Sequence, residues 1–309
     1  MNYILDTDIG PDVDDVGALF IANLYASRGM GKLLCVTHCT SDPYGVGAIR
    51  AVNKWCKAPD IPVGTLKDEG FLSDERSEKY NKALANLVTE EEREAEDATK
   101  VTRKVLAEQP DKSVTMIGIG PMRNISHLLD SKADEASNLT GRELIKQKVV
   151  KLFCMAGCFD PTFANPFSEE GEPVGFITEW NVEMDVGAAS NVINNWPTPI
   201  VFGGLEVGGQ VIALRDTGFL PTDSPVKLAY DLYTQGEGRM SWDLLVTERA
   251  MNPESMITTI SEVGDVTIDG AGITRFKVNP EGHFQILSLA ETKEEAAKHL
   301  DQLLACNDF

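Results

Sequence analysis

The sequence predicts an α/β fold with a doubly wound, mostly parallel central sheet, helices on both faces and a small antiparallel β layer near the C-terminus. Short apolar runs rich in β-branched residues alternate with longer helical patterns, which is typical of strands joined through crossover helices. The first run ends in a cluster of aspartates, and open α/β sheets bind ligands at the carboxyl ends of their strands. No repeat or break in composition divides the 309 residues, so we expect one domain over residues 1–309.

The apolar runs and the helical periodicity predict individual elements. The strands fall at residues 3–5, 33–37, 61–64, 114–119, 149–155 and 200–202. The helices fall at residues 15–28, 45–57, 98–108, 122–130, 186–195 and 293–305. Residues 67–97 are dense in Glu and Lys, which indicates a solvated surface insertion with some helix. The runs DVTID, ITRFKV and HFQILSL around residues 266–289 predict the C-terminal antiparallel layer.

The charge balance restricts the partners of the chain. It has 28 Lys and Arg against 48 Asp and Glu, for a formal net charge of -20. Nucleic acid would be repelled by this charge, whereas a small neutral or cationic ligand would not. No apolar run approaches the roughly 20 residues of a membrane helix, and no secretory leader opens the chain. The six cysteines form no CxxC pair. We therefore expect a cytoplasmic protein with no nucleic-acid or membrane partner.

The run DTDIGPDVDD, residues 6–15, places five carboxylates at the end of the first predicted strand. Asp14 and Asp15 stand where the first helix begins, and carboxylates there stabilise a helix by about 0.5–2 kcal/mol. Capping does not explain Asp6, Asp8 and Asp12. Clustered anions repel each other unless a cation lies among them, and an all-oxygen set is typical of Ca²⁺ or Mg²⁺. The alternative is a solvated acidic turn that needs no metal.

An EF-hand loop does not fit this run. Counted from Asp6, the sixth position is Pro11, where the sharp turn of an EF-hand requires Gly. The twelfth position is Gly17, where a bidentate Glu belongs.

Two enzyme families open with a strand followed by Asp-x-Asp. DTDIG resembles the opening of the haloacid-dehalogenase-like phosphatases, which use an aspartate nucleophile and Mg²⁺. ILDTDIG followed by DVDDVGAL resembles the inosine-uridine-type nucleoside hydrolases throughout, and only this resemblance uses Asp14 and Asp15.

Four later segments resemble nucleoside hydrolase motifs in the same order. They are VTMIGIGPMRNISHLL at residues 114–129, KLFCMAG at 151–157, TEWNVEMDVGAA at 178–189 and SWDLL at 241–245. The resemblance implies a nucleoside hydrolase-like fold and Ca²⁺-dependent hydrolysis of the N-glycosidic bond of ribonucleosides, which releases free base and ribose. It also implies a homo-oligomer, either a dimer or a tetramer.

The resemblance assigns roles residue by residue. Asp8 would be the base that activates a metal-bound water, and Asp6 would hold Asp8 in place. The implied Ca²⁺ ligands are Asp8, Asp15, Asp243 and the main-chain carbonyl of Ile119. The implied substrate contacts are Asp14, Asn165, Glu179 and Asn181 at the ribose and Trp242 at the base. On the residues alone, Asp243 could equally be a helix N-cap, Trp242 a core residue, and Glu179 and Asn181 ordinary loop polars.

The chain departs from the family pattern in three places. One is the segment after the second strand, which reads HCTSDPYG where a short turn with an Asn is usual. The first loop is two residues longer, which leaves Asp12 without a counterpart. Trp242 stands where many members have a His that protonates the departing base, and among the histidines of the chain only His38 follows a strand end. Two other functions therefore stay open: an Mg²⁺-dependent phosphatase of the haloacid-dehalogenase type, and a non-catalytic ribose- or nucleoside-binding protein of the same fold.

Overall fold

Strands and helices alternate along residues 1–73, 79–168 and 171–309, which are the residues that the structure, a computed structural model, describes. The strands are β1 (Asn2–Thr7), β2 (Lys32–His38), β3 (Val63–Thr65), β4 (Glu96–Asp97), β5 (Val114–Gly118), β6 (Val149–Met155), β7 (Ile200–Gly203), β8 (Ile212–Ala213), β9 (Arg239–Met240), β10 (Thr258–Ile260), β11 (Gly264–Ile268), β12 (Thr274–Val278) and β13 (Phe284–Leu289).

The helices follow the strands as the alternating pattern predicts. They are α1 (Asp14–Ser27), α2 (Gly45–Trp55), α3 (Asn81–Ala85), α4 (Ala98–Ala107), α5 (Arg123–Asp130), α6 (Gly141–Lys148), α7 (Trp180–Met184), α8 (Val186–Asn195), α9 (Leu205–Gly208), α10 (Pro225–Thr234), α11 (Trp242–Met251) and α12 (Lys293–Leu304). In the described ranges, no helix is both long and apolar enough to cross a membrane.

The main sheet is mostly parallel, as predicted. Its strand order is β12-β11-β13-β7-β6-β5-β1-β2-β3-β4, with β10 paired to β13. Every pair from β13 and β7 through to β3 and β4 is parallel, whereas the pairs that β11 and β10 make are antiparallel. The predicted antiparallel strands are confirmed, and they extend this same sheet because β13 pairs directly with β7.

Helices cover both faces of the sheet, because the central strands are apolar on both sides. In β1, Tyr3 and Leu5 point to one buried cluster and Ile4 to the other. The first cluster includes apolar residues of α1, α2, α10, α11 and α12. The second includes those of α4, α5, α6 and α8. The doubly wound arrangement is therefore confirmed.

The chain reverses its direction of winding at β1. It runs outward from β1 through β2 and β3 to β4, then returns to place β5 on the other side of β1. Asp6 at the end of β1 pairs with Thr37 on one side and Gly118 on the other. Such a switch point opens a crevice at the carboxyl ends of the two strands, which is where ligands bind in open α/β sheets. The acidic loop begins in this crevice.

The described part of the insertion at residues 67–97 contains α3, a 3-10 turn at Glu91–Arg93 and β4, and the helix in it agrees with the prediction. Its residues 74–78 lie outside the described ranges. Helices α6, α7, α9 and α10 were not predicted, although α6 and α10 carry sequence signals at their starts. Thr140 and Glu143 form a capping box before α6, and Ser224 precedes Pro225 at the first position of α10.

The start of α11 depends on a close backbone contact with α9. A Cβ atom on Gly208 would lie 2.3 Å from the Cα atom of Trp242. We expect Gly208→Ala to lower the free energy of unfolding by about 1–3 kcal/mol, because backbone must shift to admit the methyl group. Denaturant unfolding measures this change. Gly270→Ala is the matched control, since its added Cβ meets no atom within 4 Å, and its effect should stay within about 0.5 kcal/mol. Equal effects for the two variants would contradict the prediction.

Candidate active site

A cavity of about 420 Å³ opens at the carboxyl ends of the central strands. This volume lies within the range of roughly 300–1,000 Å³ that is usual for small-molecule sites. Its lining comes from the loop after β1, the ends of β5 and β6, the segment around α7 and the start of α11. The predicted site residues among the lining residues are Asp8, Asp14, Asp15, Ile119, Glu179, Asn181, Trp242 and Asp243.

Three buried carboxylates converge in this cavity. Oxygen atoms of Asp14, Asp15 and Asp243 all lie within 4.8 Å of one another. Asp14 and Asp15 form the first turn of α1, and Asp243 lies in the first turn of α11. The backbone N–H of Asp243 donates to Oδ2 of Asp14 at 3.0 Å, which ties the two helix starts together. The sequence analysis assigned these residues to one site although Asp14 and Asp243 lie 229 positions apart in the chain.

The carboxylate cluster fits a hard cation. Burial, reinforced by the neighbouring negative charges, holds the pKa values of Asp14, Asp15 and Asp243 well above their ordinary value. Oδ1 of Asp15 accepts a hydrogen bond from the Thr7 hydroxyl, whereas its buried Oδ2 has no hydrogen-bond partner among the described residues. An unpartnered buried carboxylate oxygen among other carboxylates is the environment that an oxygen-seeking cation would stabilise.

Asp8 lines the cavity beside this cluster. Burial raises its pKa to about 7, and the charges of Asp12 and Asp6 add to the effect. Gly120 allows the end of β5 to approach closely, since a Cβ there would lie 2.8 Å from Oδ1 of Asp8. A carboxylate with a pKa near neutrality is suited to accept and release a proton.

Asp6 lies behind the cavity and is not one of its lining residues. Its Oδ1 accepts hydrogen bonds from the Thr37 hydroxyl at 2.5 Å and from the Asn124 side-chain amide at 2.8 Å. Its main-chain carbonyl accepts the N–H of Ile119 at 2.8 Å. Asp6 therefore joins β1, β2 and β5 next to Asp8.

Thr37 and Asn124 were not predicted as site residues. Asn124 also donates to the carbonyl of His38 at 3.0 Å, so it connects the ends of two neighbouring strands. Its position inside the segment GPMRNISHLL was a usable signal, because that segment was already matched to a strand-end motif.

Glu179 and Asn181 line the cavity at the start of α7. Oε1 of Glu179 accepts the N–H of Asn181 at 2.8 Å, and Oε2 accepts the N–H of Gly157 at 3.0 Å. Burial raises the pKa of Glu179 to about 7. The side-chain amide of Asn181 donates to the carbonyl of Met155 at 3.0 Å. Both residues therefore join the end of β6 to the cavity wall, in addition to any contact with a ligand.

Asn165 lies on the long loop after β6 and is not one of the described residues that line the cavity. Its Oδ1 accepts the N–H of Phe167 at 2.9 Å, which closes a local turn. Phe167 lines the cavity instead, and its ring stacks on that of Trp242 with centroids 6.3 Å apart. Residues 169 and 170 of this loop lie outside the described ranges.

Trp242 is both buried and part of the cavity wall. Its indole N–H donates to the carbonyl of Leu205 at 2.8 Å, which fixes the ring. The helix N-cap before it is Ser241, so Asp243 is a first-turn residue and not the N-cap.

Asp12, the residue without a family counterpart, pairs with Arg239 in the cavity wall. The Nε atom of Arg239 donates to Oδ1 of Asp12 at 2.8 Å, and its Nη2 atom donates to Oδ2 at 2.5 Å. Tyr233 also lines the cavity, and its hydroxyl donates to the carbonyl of Pro11 at 3.2 Å. Sequence reasoning missed Arg239 and Tyr233, because no pattern links them to the first loop.

His38 does not line the cavity in the described part of the chain. It is completely buried, and burial lowers its pKa to about 4. Its ring nitrogens lie 3.0 Å from the Thr40 hydroxyl and 3.4 Å from the Thr65 hydroxyl. His38 is thus a structural residue and not a source of protons for a bound ligand.

Comparisons with known proteins agree with this geometry. The sequence model of a family described as inosine-uridine preferring nucleoside hydrolase matches residues 3–292. An inosine-uridine preferring nucleoside hydrolase from Bacillus anthracis is 16% identical over 98% of this chain and 99% of that chain, with a TM-score of 0.69. A purine-preferring ribonucleoside hydrolase from Gardnerella vaginalis is 18% identical over 100% of this chain and 98% of that chain, with a TM-score of 0.71.

The same fold occurs in a protein described differently. The type III effector protein XopQ, solved in complex with adenosine diphosphate ribose, is 16% identical over 100% of this chain and 94% of that chain, with a TM-score of 0.67. No curated protein sequence matches the chain. At these identities the structural likeness establishes the fold, and the family match over residues 3–292 confirms the family that the sequence resembles.

The carboxylate cluster predicts a stability that depends on pH and on a divalent cation. Folding raises the pKa values of these groups, so it favours their protonated forms. Without a cation, the free energy of unfolding should therefore fall as pH rises above about 4, the ordinary pKa of an aspartate. A cation at 100 times its dissociation constant should restore about 2.7 kcal/mol at the higher pH. Thermal unfolding in chelator and in Ca²⁺ measures both effects.

Asp15→Asn should lose most of this cation-dependent stabilisation, because one carboxylate of the cluster is removed. Asp60→Asn is the matched control at an exposed aspartate outside the cavity, and it should keep the full effect. A cation response unchanged in Asp15→Asn would contradict a metal site at the cluster.

Proposed function

Because the chain belongs to the inosine-uridine preferring nucleoside hydrolase family, we propose that it hydrolyses the N-glycosidic bond of ribonucleosides with Ca²⁺ as its cofactor, releasing free base and ribose. The observation that carries this proposal is the cluster of buried carboxylates at the switch point of the sheet, inside a cavity large enough for a nucleoside. The predicted enzyme class, a glycosidase acting on N-glycosyl bonds, agrees with the family.

Asp8, Asp15, Asp243 and the carbonyl of Ile119 would hold the ion. All of these donors are oxygens, and Ca²⁺ is a hard cation that takes 6–8 oxygen ligands in flexible geometry. When bound, the ion would lower the pKa of a water molecule and hold it close to the sugar. The buried and mutually repelling carboxylates support this assignment, because their negative charge is otherwise uncompensated.

Asp8 is the general base of the proposed reaction. It lines the cavity, and burial raises its pKa to about 7, which supports a role in proton transfer. Asp6 acts as a positioning residue, since Thr37 and Asn124 fix its carboxylate next to the strand end that carries Asp8.

The ribose would occupy the acidic part of the cavity. Asp14, Glu179 and Asn181 line this part and carry the groups that bind sugar hydroxyls. Loss of the base leaves an oxocarbenium-like sugar with developing positive charge, which the surrounding carboxylates stabilise. Asn165 would reach the ribose only if its hydrogen bond to the Phe167 amide were exchanged for one to the substrate.

The phosphatase alternative requires Asp6 as a nucleophile. Asp6 is 2% exposed and not among the described cavity-lining residues, so its geometry does not support an attack on a phosphorus atom. A non-catalytic ribose- or nucleoside-binding protein would have the same cavity, so only a measurement of turnover distinguishes it from a hydrolase.

Three further parts of the proposal concern the whole protein. We propose one catalytic unit over residues 1–309, a dimeric or tetrameric assembly and a cytoplasmic location. The six cysteines are all free thiols, which suits a reducing compartment.

Replacement of the base tests the proposed reaction. With Ca²⁺ and a panel of purine and pyrimidine ribosides, the wild-type protein should release ribose, measured as reducing sugar. Asp8→Asn should lower kcat by about 10²–10⁴-fold, because the proton acceptor is lost. Excess chelator should abolish turnover, and Asp60→Asn should leave it unchanged.

Two outcomes would contradict the proposed nucleoside hydrolase activity. Riboside binding without release of base would indicate a nucleoside-binding protein. Phosphate release from sugar phosphates, with no cleavage of ribosides, would indicate the phosphatase.

A further inference from the structure

We propose that Arg239, anchored by Asp12, is the residue that stabilises the departing base. The inference rests on the proposed nucleoside hydrolysis and identifies the group that acts on the leaving side of the bond. It concerns the Arg239 cluster, which we define as Asp12, Tyr233, Arg239 and Trp242. All members of this cluster line the cavity.

The Arg239 guanidinium has one edge engaged and one edge available. Its Nε and Nη2 atoms donate to the two carboxylate oxygens of Asp12, in the bidentate geometry that arginine and carboxylate favour. Its Nη1 atom donates to no residue in the described ranges. Arginine carries five N–H donors in a rigid fork, so the edge formed by Nη1 and Nη2 keeps donors for a ligand.

Two aromatic rings hold the guanidinium in place. Its central carbon lies 5.2 Å from the ring centroid of Trp242 and 5.6 Å from that of Tyr233. Hydrogen bonds to main-chain carbonyls fix both rings, from Trp242 to Leu205 and from Tyr233 to Pro11. Arg239 is therefore a preorganised donor, which is what makes an electrostatic contribution to catalysis effective.

The Arg239 cluster lies directly beside the carboxylate cluster. Trp242 and Asp243 are consecutive residues in the first turn of α11. The Asp243 amide also contacts Asp14, which lies two residues after Asp12. A nucleoside whose sugar lies at the carboxylates therefore has its base within reach of Arg239 and the Trp242 ring. The other cation that lines the cavity in the described part of the chain, Lys79, is exposed to solvent.

Arginine acts on the leaving group by charge and hydrogen bonding. It cannot serve as an acid, because a guanidinium stays protonated in proteins. Burial lowers the pKa of Arg239, but the hydrogen bonds and charge of Asp12 outweigh this and hold the pKa above its ordinary value. In the reaction, the bond between C1′ and the base nitrogen breaks and its electron pair moves to the base. Water adds to C1′ while Asp8 takes the proton of that water. The base leaves as an anion bound to Arg239 and is protonated by solvent, and Asp8 returns its proton to solvent.

The donor edge also selects the base. A guanidinium edge matches the neighbouring O6 and N7 acceptors of a 6-oxopurine, whereas adenine presents an amino donor beside N7. One good bidentate pair corresponds to roughly 10–100-fold discrimination. We therefore expect kcat/KM for inosine to exceed that for adenosine, and this preference to depend on Arg239.

The test compares two substrates whose leaving groups differ in how much stabilisation they need from the protein. p-Nitrophenyl β-D-ribofuranoside releases a phenolate that is stable without assistance, while inosine releases a poor leaving group. Arg239→Gln should lower kcat/KM for inosine by about 10²–10³-fold, as removal of one preorganised donor does elsewhere. It should change turnover of the nitrophenyl riboside less than about 10-fold. Arg239→Lys should restore part of the inosine activity, since it restores the charge without the fork.

Control variants separate this role from a structural one. Arg275 also pairs with an aspartate and lies over an aromatic ring, Phe176, but it is not among the described residues that line the cavity. Arg275→Gln should leave both substrates unaffected. Asp12→Asn loosens Arg239 without removing it, and any effect of the lost charge on Asp8 reaches both substrates alike. It should therefore lower the ratio of inosine turnover to nitrophenyl riboside turnover, and this ratio carries the same test if Arg239→Gln does not fold.

The possible results are distinct. A selective loss on inosine supports the proposal. An equal loss on both substrates, or undiminished inosine turnover, overturns it and leaves Arg239 as a structural residue. A wild-type protein that cleaves neither riboside overturns the proposed hydrolysis, and the role of Arg239 with it.

Discussion

Burial of like charges at one point is the constraint on which the rest of the structure depends. Asp8, Asp14, Asp15 and Asp243 are all buried where the winding of the sheet reverses. Burial and mutual repulsion raise their pKa values, so the arrangement costs free energy unless a cation is bound. Hydrogen bonds fix the helix starts and strand ends that carry these carboxylates, such as the bond between Asp243 and Asp14. The surrounding fold therefore keeps the carboxylates together despite this unfavourable free energy.

The cavity that results has opposite charges on its two sides. Carboxylates surround the proposed position of the sugar, and the Arg239 guanidinium lies at the proposed position of the base. Cleavage of an N-glycosidic bond separates charge in the same sense, because the sugar becomes cationic as the base becomes anionic. Asp12 contributes to both sides: its charge raises the pKa of Asp8 and Asp14 and it also fixes Arg239.

Sequence reasoning was most successful where the functional residues are close neighbours in the sequence. Sequence motifs identified the Asp-rich loop after β1 and the first turn of α11. In each, one short segment contains both the start of the helix and the carboxylates of the site. It was least successful for residues whose role arises from packing. Thr37 and Asn124 belong to the site only because β2 and α5 flank β1. His38 lies at a strand end as expected, yet it is buried beside Thr40 and Thr65 and is not one of the described residues that line the cavity.

The sequence by itself determined the fold class, the family and most of the carboxylates, because hydrophobic periodicity and local motifs depend on neighbouring residues. Only the tertiary structure decided which side chains reach the cavity. Phe167 lines it where Asn165 was expected, since the loop uses the Asn165 side chain to close its own turn. Asp12 and Arg239 are paired across 227 residues. No local pattern encodes a contact at that separation, and it forms because α1 and α11 begin side by side at the end of the sheet.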